Sequence, residues 1–246
     1  MVLPIRDLNP TTHPIVVNWL LIAVCIGVFI VWQPQSDPGA TEFLFERATI
    51  PCEITTLEPL STDELRTGVC EEGGADQVFP DKSVLLSLIT SIFLHAGWFH
   101  LLSNMWILWI FGNNIEDSYG HAPYLLFYLL AGVVASLAHI LLRPESIIPV
   151  VGASGAIAGV MGSYLVLHPT ARVVSIIPPL FFFPFRVPAF LFLTLWFVGQ
   201  FFIAGQGSNV AWEAHVAGFI VGVVAGLMYR ARQDPPNTHE HPGYSY

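Results

Sequence analysis

Two polar residues in this sequence stand at the start of strongly apolar segments. Ser154 lies within a Gly-Ala-Ser-Gly stretch, and His215 follows Ala214 at the head of a glycine-containing apolar run. A serine hydroxyl becomes a nucleophile when a neighbouring histidine removes its proton, and polar groups inside membrane segments commonly mark function. Taken alone, Ser154 is better explained as a helix cap and His215 as a buried structural histidine. Taken together, they predict a nucleophile and its general base.

A second pair of polar residues, His100 and Asn104, lies four positions apart at the start of another apolar segment. On a helix this spacing puts both side chains on one face, where both can donate hydrogen bonds. Donors aimed at a developing negative charge form an oxyanion hole, and the free N–H groups at the start of the helix that holds Ser154 would add to it. A buried polar pair that stabilises helix contacts is the structural alternative.

The composition is that of a membrane protein with several spans. Of the 246 residues, 54% are hydrophobic and 11% are charged, and a soluble domain usually carries about twice that charged fraction. The first apolar run has no small-residue cleavage site behind it, so we expect a retained span and not a signal peptide. The apolar runs predict six transmembrane helices, at residues 15–32, 98–112, 122–142, 154–168, 187–204 and 212–229.

Most of the net charge of −9 is concentrated in one insertion. Residues 33–82 contain eleven acidic and three basic residues, which predicts a polar, solvated loop between apolar segments. The apolar stretch 83–94 that follows is short, and we expect it to enter the interface or to extend the second span. The sequence has no basic surface of the kind that binds nucleic acid, so that class of partner is excluded.

The placement of lysine and arginine residues predicts the orientation of the spans. The short loops favour a cytoplasmic N-terminus and C-terminus. The fourth and sixth spans then run in the same direction, so Ser154 and His215 lie on the same, outer face of the membrane. The absence of a transit peptide favours a bacterial inner (plasma) membrane. The expected organisation is a short cytoplasmic segment 1–14, a membrane domain 15–230 with an outer loop 33–94, and a disordered tail 231–246.

The fourth predicted span is too short to cross a bilayer. Its fourteen residues 155–168 form about 21 Å of helix against a hydrocarbon core of about 30 Å. With its His168 end at one interface, its Ser154 end must lie below the opposite surface. The preceding stretch 144–153 is then non-helical backbone at membrane depth, which is tolerated where protein buries it or where it lines a water-filled cavity. A sunken, hydrated cavity at Ser154 is the expected consequence.

Glycines spaced four apart occur in both helices that carry the predicted dyad. Small residues at this spacing let helix backbones approach closely in lipid, which a hydrogen-bonded pair would require. Generic helix packing is the alternative explanation of the same glycines. They are Gly155 and Gly159 in the fourth span and Gly218, Gly222 and Gly226 in the sixth.

These constellations resemble the rhomboid family of intramembrane serine proteases over nearly the whole hydrophobic part of the chain. Each stretch that carries the resemblance is weak evidence alone, and the ordered set is specific. The stretches are 4–10, 95–105, 111–117, 152–155 and the helix that begins near His215. The resemblance implies an all-α membrane protein, a bundle of six transmembrane helices with a short central fourth helix.

The resemblance also implies a role for each candidate residue. Ser154 would be the nucleophile and His215 the general base of a dyad without a carboxylate member, and His100, Asn104 and the Ser154 backbone N–H would form the oxyanion hole. The implied substrates are transmembrane segments of other membrane proteins within the lipid bilayer, and no metal or cofactor is required. A loop-shaping glycine, a structural carboxylate and packing glycines would support the site: Gly152, Glu116, Gly155, Gly218 and Gly222.

One position departs from the family pattern. Four residues after the nucleophile, many relatives carry an aromatic ring that stacks on the catalytic histidine, and this sequence has Ala158 there. Either another ring fills the gap, Trp212 being one candidate, or the imidazole is held less firmly. Two other functions are alternatives to proteolysis. One is a catalytically silent relative that binds membrane proteins for quality control, and the other is a transporter, for which we see no inverted repeats.

The three cysteines have different expected roles. Cys52 and Cys70 fall in the predicted outer loop, where an oxidising compartment favours a disulfide that would stabilise the loop by about 3 kcal/mol. Two unpaired thiols are the alternative. Cys25, inside the first span, is expected to pack in the core. The histidine spacing does not match a zinc ligand set, and His139, which has no motif partner, is expected to be structural.

Overall fold

The computed structural model describes residues 3–177, 183–204 and 210–233, and this part of the chain is mostly helical. Helix α1 (Val17–Gly27) continues as a π-helix (Val28–Trp32). Four short helices follow: α2 (Gly39–Arg47), α3 (Pro51–Thr56), α4 (Thr62–Thr67) and α5 (Val84–Thr90). The later helices are α6 (Trp98–Tyr119), α7 (His121–Leu142), α8 (Ser154–Leu167), α9 (Ala189–Ala204) and α10 (Trp212–Gln233).

Apolar helices occur where the sequence predicted them, with α6 continuing past its predicted end at residue 112. Helices α7 and α10 are long and apolar enough to cross a membrane, and α5 with α6 makes a third candidate if that bent pair is one span. Helices α1, α8 and α9 are apolar but shorter. The stretch 83–94 does not extend α6 in a straight line, because the two are bent by 75°. That six helices cross the bilayer stays a prediction.

Helix α8 is the central helix of the bundle. Ten consecutive residues, 155–164, are buried, and α8 contacts α6, α7, α9 and α10. The stretch 144–153 that leads to α8 contains no helix, as the sequence predicted. The short helix that starts at Ser154 is therefore enclosed by longer ones, and its first turn is reached through irregular backbone.

Glycines bring the backbones of α8 and α10 into direct contact. A Cβ added to Gly222 would lie 1.9 Å from the Gly159 carbonyl oxygen, and one added to Gly218 would lie 2.1 Å from the Gly155 oxygen. Neither position can hold a methyl group unless a backbone moves. The two helices run parallel, and small residues spaced four apart line their contact, which is the arrangement expected from the glycine pattern.

The buried carboxylate of Glu116 connects α6 to the start of α1. It accepts hydrogen bonds of 2.7–2.9 Å from the backbone N–H groups of Val16, Val17 and Asn18. His121 Nδ1 lies 2.6 Å from the same carboxylate. The first turn of a helix leaves such N–H groups without intrahelical partners, and a negative charge is favourable beside them. The contact gives Glu116 a structural position at the end of α6 opposite His100.

A small β-sheet, which the sequence did not predict, accompanies the mostly helical fold. The antiparallel strands β1 (Leu3–Asp7), β2 (Arg172–Ile176) and β3 (Phe185–Pro188) pair in that order. The first strand comes from the predicted N-terminal segment, and the other two from the connection between α8 and α9. β-Branched residues favour strands, but these strands are only four or five residues long. An alternating pattern of that length is difficult to recognise next to long apolar segments. The sheet lies at the end of α8 that is opposite Ser154.

A polar contact also anchors the N-terminal segment. Asp7 Oδ2 accepts hydrogen bonds from the hydroxyl of Tyr164, at 2.8 Å, and from the side-chain amide of Asn114, at 2.7 Å. Burial raises the pKa of the Asp7 carboxyl above its ordinary value, and the hydrogen bonds from these donors oppose the rise. The start of the chain is thus attached to α6 and to α8, the helix that begins with Ser154.

The acidic insertion has a folded part, which the expectation of a solvated loop did not include. The structure joins Cys52 and Cys70 in a disulfide, and a small apolar cluster surrounds Cys52. Lys82 Nζ lies 2.5 Å from Glu53 Oε2 in a buried ion pair. Burial raises the pKa of Glu53 and lowers the pKa of Lys82, while the attraction between the two opposes both shifts. The high proportion of acidic residues in this insertion predicted a solvated loop, so the composition alone did not indicate the buried cluster.

The C-terminal boundary also differs from the prediction. Helix α10 continues to Gln233 and so passes residue 231, where the disordered tail was expected to begin. Two cationic residues, Arg230 and Arg232, stand in its last turn, where the helix dipole favours positive charge. The remainder of the predicted tail, residues 234–246, lies outside the described part of the chain.

We expect Gly222→Ala to destabilise the protein, because the new Cβ would lie 1.9 Å from the Gly159 carbonyl oxygen. Overpacking of this kind costs about 1–3 kcal/mol, which corresponds to a fall of about 2–12 °C in the thermal unfolding midpoint. Gly199→Ala on α9 is the matched control, since a Cβ there meets nothing within 4 Å. Equal midpoints for the two variants in detergent would contradict the close contact of α8 with α10.

Candidate active site

Ser154 and His215 meet where α8 and α10 begin. His215 Nε2 lies 2.9 Å from Ser154 Oγ, which is hydrogen-bond distance. Because the two helices are parallel and closely packed, their first turns lie side by side. The sequence predicted these residues at comparable depth on one face of the membrane, and the structure places their reactive atoms in contact.

The local backbone around Ser154 follows from the residues beside it. Gly152 has a φ of +119°, a conformation that glycine adopts without a steric penalty. Ser154 is the first residue of α8 and is half-buried. The N–H groups of a first helical turn have no intrahelical acceptors, and they form the positive end of the helix dipole. A negative charge that develops beside Ser154 would therefore be stabilised by backbone donors.

His100 and Asn104 lie against the same loop. A Cβ on Gly152 would meet His100 Nε2 at 2.7 Å and Asn104 Nδ2 at 3.8 Å, so a larger residue would displace the imidazole. The Ala96 backbone N–H donates to His100 Nδ1 at 3.3 Å, which leaves the ring proton on Nε2. Asn104 Nδ2 donates one hydrogen bond to the His100 carbonyl, at 2.9 Å, and retains a second N–H. Two side-chain donors thus lie beside the loop that precedes Ser154.

Gln200 on α9 is a site residue that the sequence motifs do not identify. Its side chain is 3% exposed, and its Oε1 lies 2.7 Å from His215 Nδ1. Its Nε2 donates to the backbone oxygen of Trp196, one turn earlier, at 3.2 Å. An amide in an otherwise strongly apolar helix is the signal that would have indicated it.

The aromatic neighbour of His215 is Trp196, which corrects the suggestion of Trp212. The centroids of the Trp196 and His215 rings are 5.9 Å apart, and the ring planes are inclined by 38°. Trp212 packs instead against Phe201 on α9, with centroids 6.0 Å apart. It lies on the same helix as His215, so its ring turns towards the neighbouring helix. Ala158, at the position where relatives carry a ring, is fully buried.

A buried carboxylate holds the start of α10 against α7. Glu213 accepts a hydrogen bond from Arg143 Nε at 2.6 Å, and its other oxygen lies 3.2 Å from His139 Nδ1. Both partners belong to the end of α7. His139 thus has a structural contact, as the sequence suggested, but its partner is 74 residues away and no motif connects the two. The contact fixes the helical turn that carries His215.

The stretch 144–153, which leads to Ser154, is held by the outer segments of the chain. Buried backbone groups need hydrogen-bond partners, and a stretch without helix or strand has to find them elsewhere in the protein. Here the partners are supplied by the folded insertion and by the 3-10 helix Ser91–Phe93, which follows α5. Backbone hydrogen bonds of 2.8–3.0 Å join Ser146 to Cys52, Val150 to Thr49 and Gly152 to Ser91.

The family model of the rhomboid domain matches residues 82–232, which is more than half of the chain. The chain therefore belongs to the rhomboid family. It is similar to Rhomboid protein 1, mitochondrial, of Saccharomyces cerevisiae, with 32% identity over 224 residues that cover 87% of this chain and 54% of that protein. It is also similar to Rhomboid protease GluP of Bacillus subtilis, with 44% identity over 78 residues, 32% of this chain and 15% of that protein.

A third relative is the Presenilin-associated rhomboid-like protein, mitochondrial, of Bos taurus, with 33% identity over 107 residues that cover 42% of this chain and 28% of that protein. The chain thus spans about half the length of the yeast relative and smaller parts of the other two. Family membership supports a membrane protein. The expected bacterial inner membrane is not supported, because two of these three relatives are mitochondrial.

Proposed function

We propose that this chain is an intramembrane serine endopeptidase that works through a Ser154–His215 dyad. The observation that carries the proposal is the 2.9 Å contact between Ser154 Oγ and His215 Nε2 inside a bundle of apolar helices. The donors at His100 and Asn104 support it, since both lie beside the loop that precedes the serine. Membership of the rhomboid family supports it too, since one similar member is named a protease.

In the proposed reaction, His215 Nε2 takes the proton of Ser154 Oγ while that oxygen attacks the carbonyl carbon of a substrate peptide bond. The charge that develops on the carbonyl oxygen is stabilised by the Ser154 backbone N–H, by His100 Nε2–H and by the free N–H of Asn104. His215 then gives its proton to the leaving amine, and an acyl-enzyme remains. A water molecule, deprotonated by His215, hydrolyses the ester and restores Ser154.

The substrates in this proposal are transmembrane segments of other membrane proteins. Helix α8 has 14 residues, about 21 Å of helix, so in a bilayer its Ser154 end lies below the surface. The irregular stretch 144–153 beside it gives water a route to the site. The placement of Lys and Arg predicts that both termini lie on one side of the membrane, and the proposed site then opens to the other side. The proposed scheme uses no metal or cofactor.

Ser154→Ala should abolish cleavage of a model single-span substrate in proteoliposomes, because the variant lacks the attacking oxygen. Ser136→Ala on α7 is the matched control and should cleave at the rate of the unmodified protein. The measurement is the amount of product fragment as a function of time. Cleavage by Ser154→Ala at the unmodified rate would contradict the proposal.

A fluorophosphonate probe should label Ser154 in the unmodified protein, and labelling should be lost in a folded His215→Ala variant, because the serine needs its base. Mass spectrometry of the labelled peptide identifies the site. A folded protein that neither labels nor cleaves would instead favour the catalytically silent, membrane-protein-binding relative.

Asn104→Ala should lower kcat by about 100-fold and leave KM nearly unchanged, because loss of one oxyanion-hole donor removes a hydrogen bond that strengthens only in the transition state. Ser103→Ala is the matched control, since Ser103 is the adjacent residue and is exposed. Initial rates over a range of substrate concentrations separate the two constants. A rise in KM with an unchanged kcat would assign Asn104 to substrate binding instead.

A further inference from the structure

We infer that Gln200 is a positioning residue that sets the tautomer and the orientation of His215, an inference that rests on the proposed dyad. A histidine that removes a proton through Nε2 must carry its own proton on Nδ1. In the part of the chain that the structure describes, no carboxylate bonds to His215 Nδ1, so another acceptor has to face it. Gln200 Oε1 is 2.7 Å from that nitrogen.

The direction of this hydrogen bond follows from the second contact of the amide. Gln200 Nε2 donates to the Trp196 carbonyl at 3.2 Å, so the oxygen end of the amide is the end that faces His215. A carbonyl oxygen can only accept, and Nδ1 therefore donates. This leaves the lone pair of Nε2 directed at Ser154 Oγ, at 2.9 Å. The hydrogen bonds therefore all run in one direction: Ser154 Oγ donates to His215 Nε2, and His215 Nδ1 donates to Gln200 Oε1.

Burial and packing make this chain of hydrogen bonds rigid. Gln200 is 3% exposed, so water does not compete strongly for its amide. The Trp196 ring lies one turn earlier on α9 and is 5.9 Å from the His215 ring, so α9 contacts the imidazole with an aromatic face and with an amide. During the reaction the Nδ1 proton stays on His215, and Gln200 orients the ring without receiving a proton.

Gln200→Met removes the acceptor and keeps a side chain of similar length. We expect kcat to fall by about 10- to 100-fold with little change in KM. A His215 ring in the wrong tautomer or orientation slows proton transfer but does not alter substrate binding. Gln200→Glu restores an acceptor and should recover most of the lost rate. Thr194→Val, on an exposed position of the same helix, is the control and should behave like the unmodified protein.

An unchanged kcat in Gln200→Met would overturn the positioning role while Ser154→Ala remains inactive, so this failure is separate from a failure of the dyad. A second measurement does not need the Met variant to fold. In the protein with nitrogen-15-labelled histidine, the His215 signals, identified by their loss in His215→Ala, should report a protonated Nδ1. A protonated Nε2 in the resting protein would overturn the inference.

A different observation concerns the small sheet, and it does not depend on the dyad. The geometry points to a site for the phosphate of an anionic lipid headgroup on the exposed face of this sheet. Val174 of β2 pairs with Arg6 of β1 and with Arg186 of β3, and Arg172 is two residues before Val174. Cross-strand partners and alternate residues point to the same face. Three guanidinium groups therefore share one face.

These arginines are exposed and available for a ligand. Within the described residues, no carboxylate forms an ion pair with Arg6, Arg172 or Arg186, whereas Lys82 and Arg143 each have a carboxylate partner. The opposite face of β2 is buried, with Val173 and Ser175 against the bundle. Guanidinium groups bind phosphate oxygens through two parallel hydrogen bonds, so an open cluster of them matches a phosphate ligand.

The position of the sheet favours a lipid as the source of that phosphate. Strands β2 and β3 connect the end of α8 with the start of α9, two apolar helices, so the sheet lies where they leave the hydrocarbon core. A cavity of about 440 Å³ opens beside Arg172 and Arg186, and the exposed ring of Phe190 contributes to its wall. A headgroup can bind the two arginines while its glycerol and acyl portion contacts the ring.

The test is lipid retention by the whole protein, measured by native mass spectrometry after titration with phosphatidylglycerol in detergent. Arg172→Gln and Arg186→Gln should each weaken the apparent affinity by about 5-fold, the contribution of one arginine near a membrane surface, and the double variant should weaken it further. Arg47→Gln and Arg66→Gln in the acidic insertion are the matched controls. Both should retain lipid as the unmodified protein does.

Equal retention of phosphatidylcholine, or full retention by the double variant, would overturn the headgroup site. Millimolar inorganic phosphate separates the two sources of the ligand. If it displaces the lipid completely, the cluster binds free phosphate and the lipid assignment is wrong. If the lipid stays bound, the membrane is the source.

Discussion

The close approach of α8 to α10 is the constraint on which the rest of the site depends. Helix axes usually lie about 8–10 Å apart, at a distance set by the side chains between them. Here Gly218 and Gly222 place one backbone directly against the carbonyls of the other, and Ser154 and His215 reach 2.9 Å. In lipid the hydrophobic effect does not favour helix association, so close van der Waals packing has to hold α8 and α10 together. The same packing aligns their first turns.

Once the helices are close, polar contacts at their ends determine how each one is oriented. Glu116 binds the free N–H groups at the start of α1, and Glu213 fixes the start of α10 through Arg143 and His139. Buried charges are costly unless they are paired, and an apolar bundle offers few alternative partners. Each carboxylate therefore favours one packing arrangement of its helix against the neighbouring helix. Gln200 on α9 likewise favours one orientation of the His215 ring on α10.

The apolar helices and the contact between Ser154 and His215 could be predicted because both leave local signals. Apolar runs mark the spans, and Ser154 and His215 stand at the starts of glycine-spaced helices. The sheet could not be predicted, since its strands are short and come from distant parts of the chain. Gln200 was missed for a similar reason, because its contact with His215 depends on α9 packing beside α10, which the sequence does not show. The suggestion of Trp212 failed because sequence proximity to a histidine does not determine ring direction.

The amide at position 200 has a physical advantage over the carboxylate of a triad. A carboxylate facing His215 would be a buried charge next to a neutral ring in the resting state, and its desolvation would be costly. The nearby carboxylate of Glu213 avoids this cost because it binds Arg143. Gln200 supplies direction without charge, so the resting site stays neutral within an apolar bundle. In the proposed reaction, the corresponding loss would be weaker stabilisation of the imidazolium, which would place more of the transition-state stabilisation on the donors around the oxyanion.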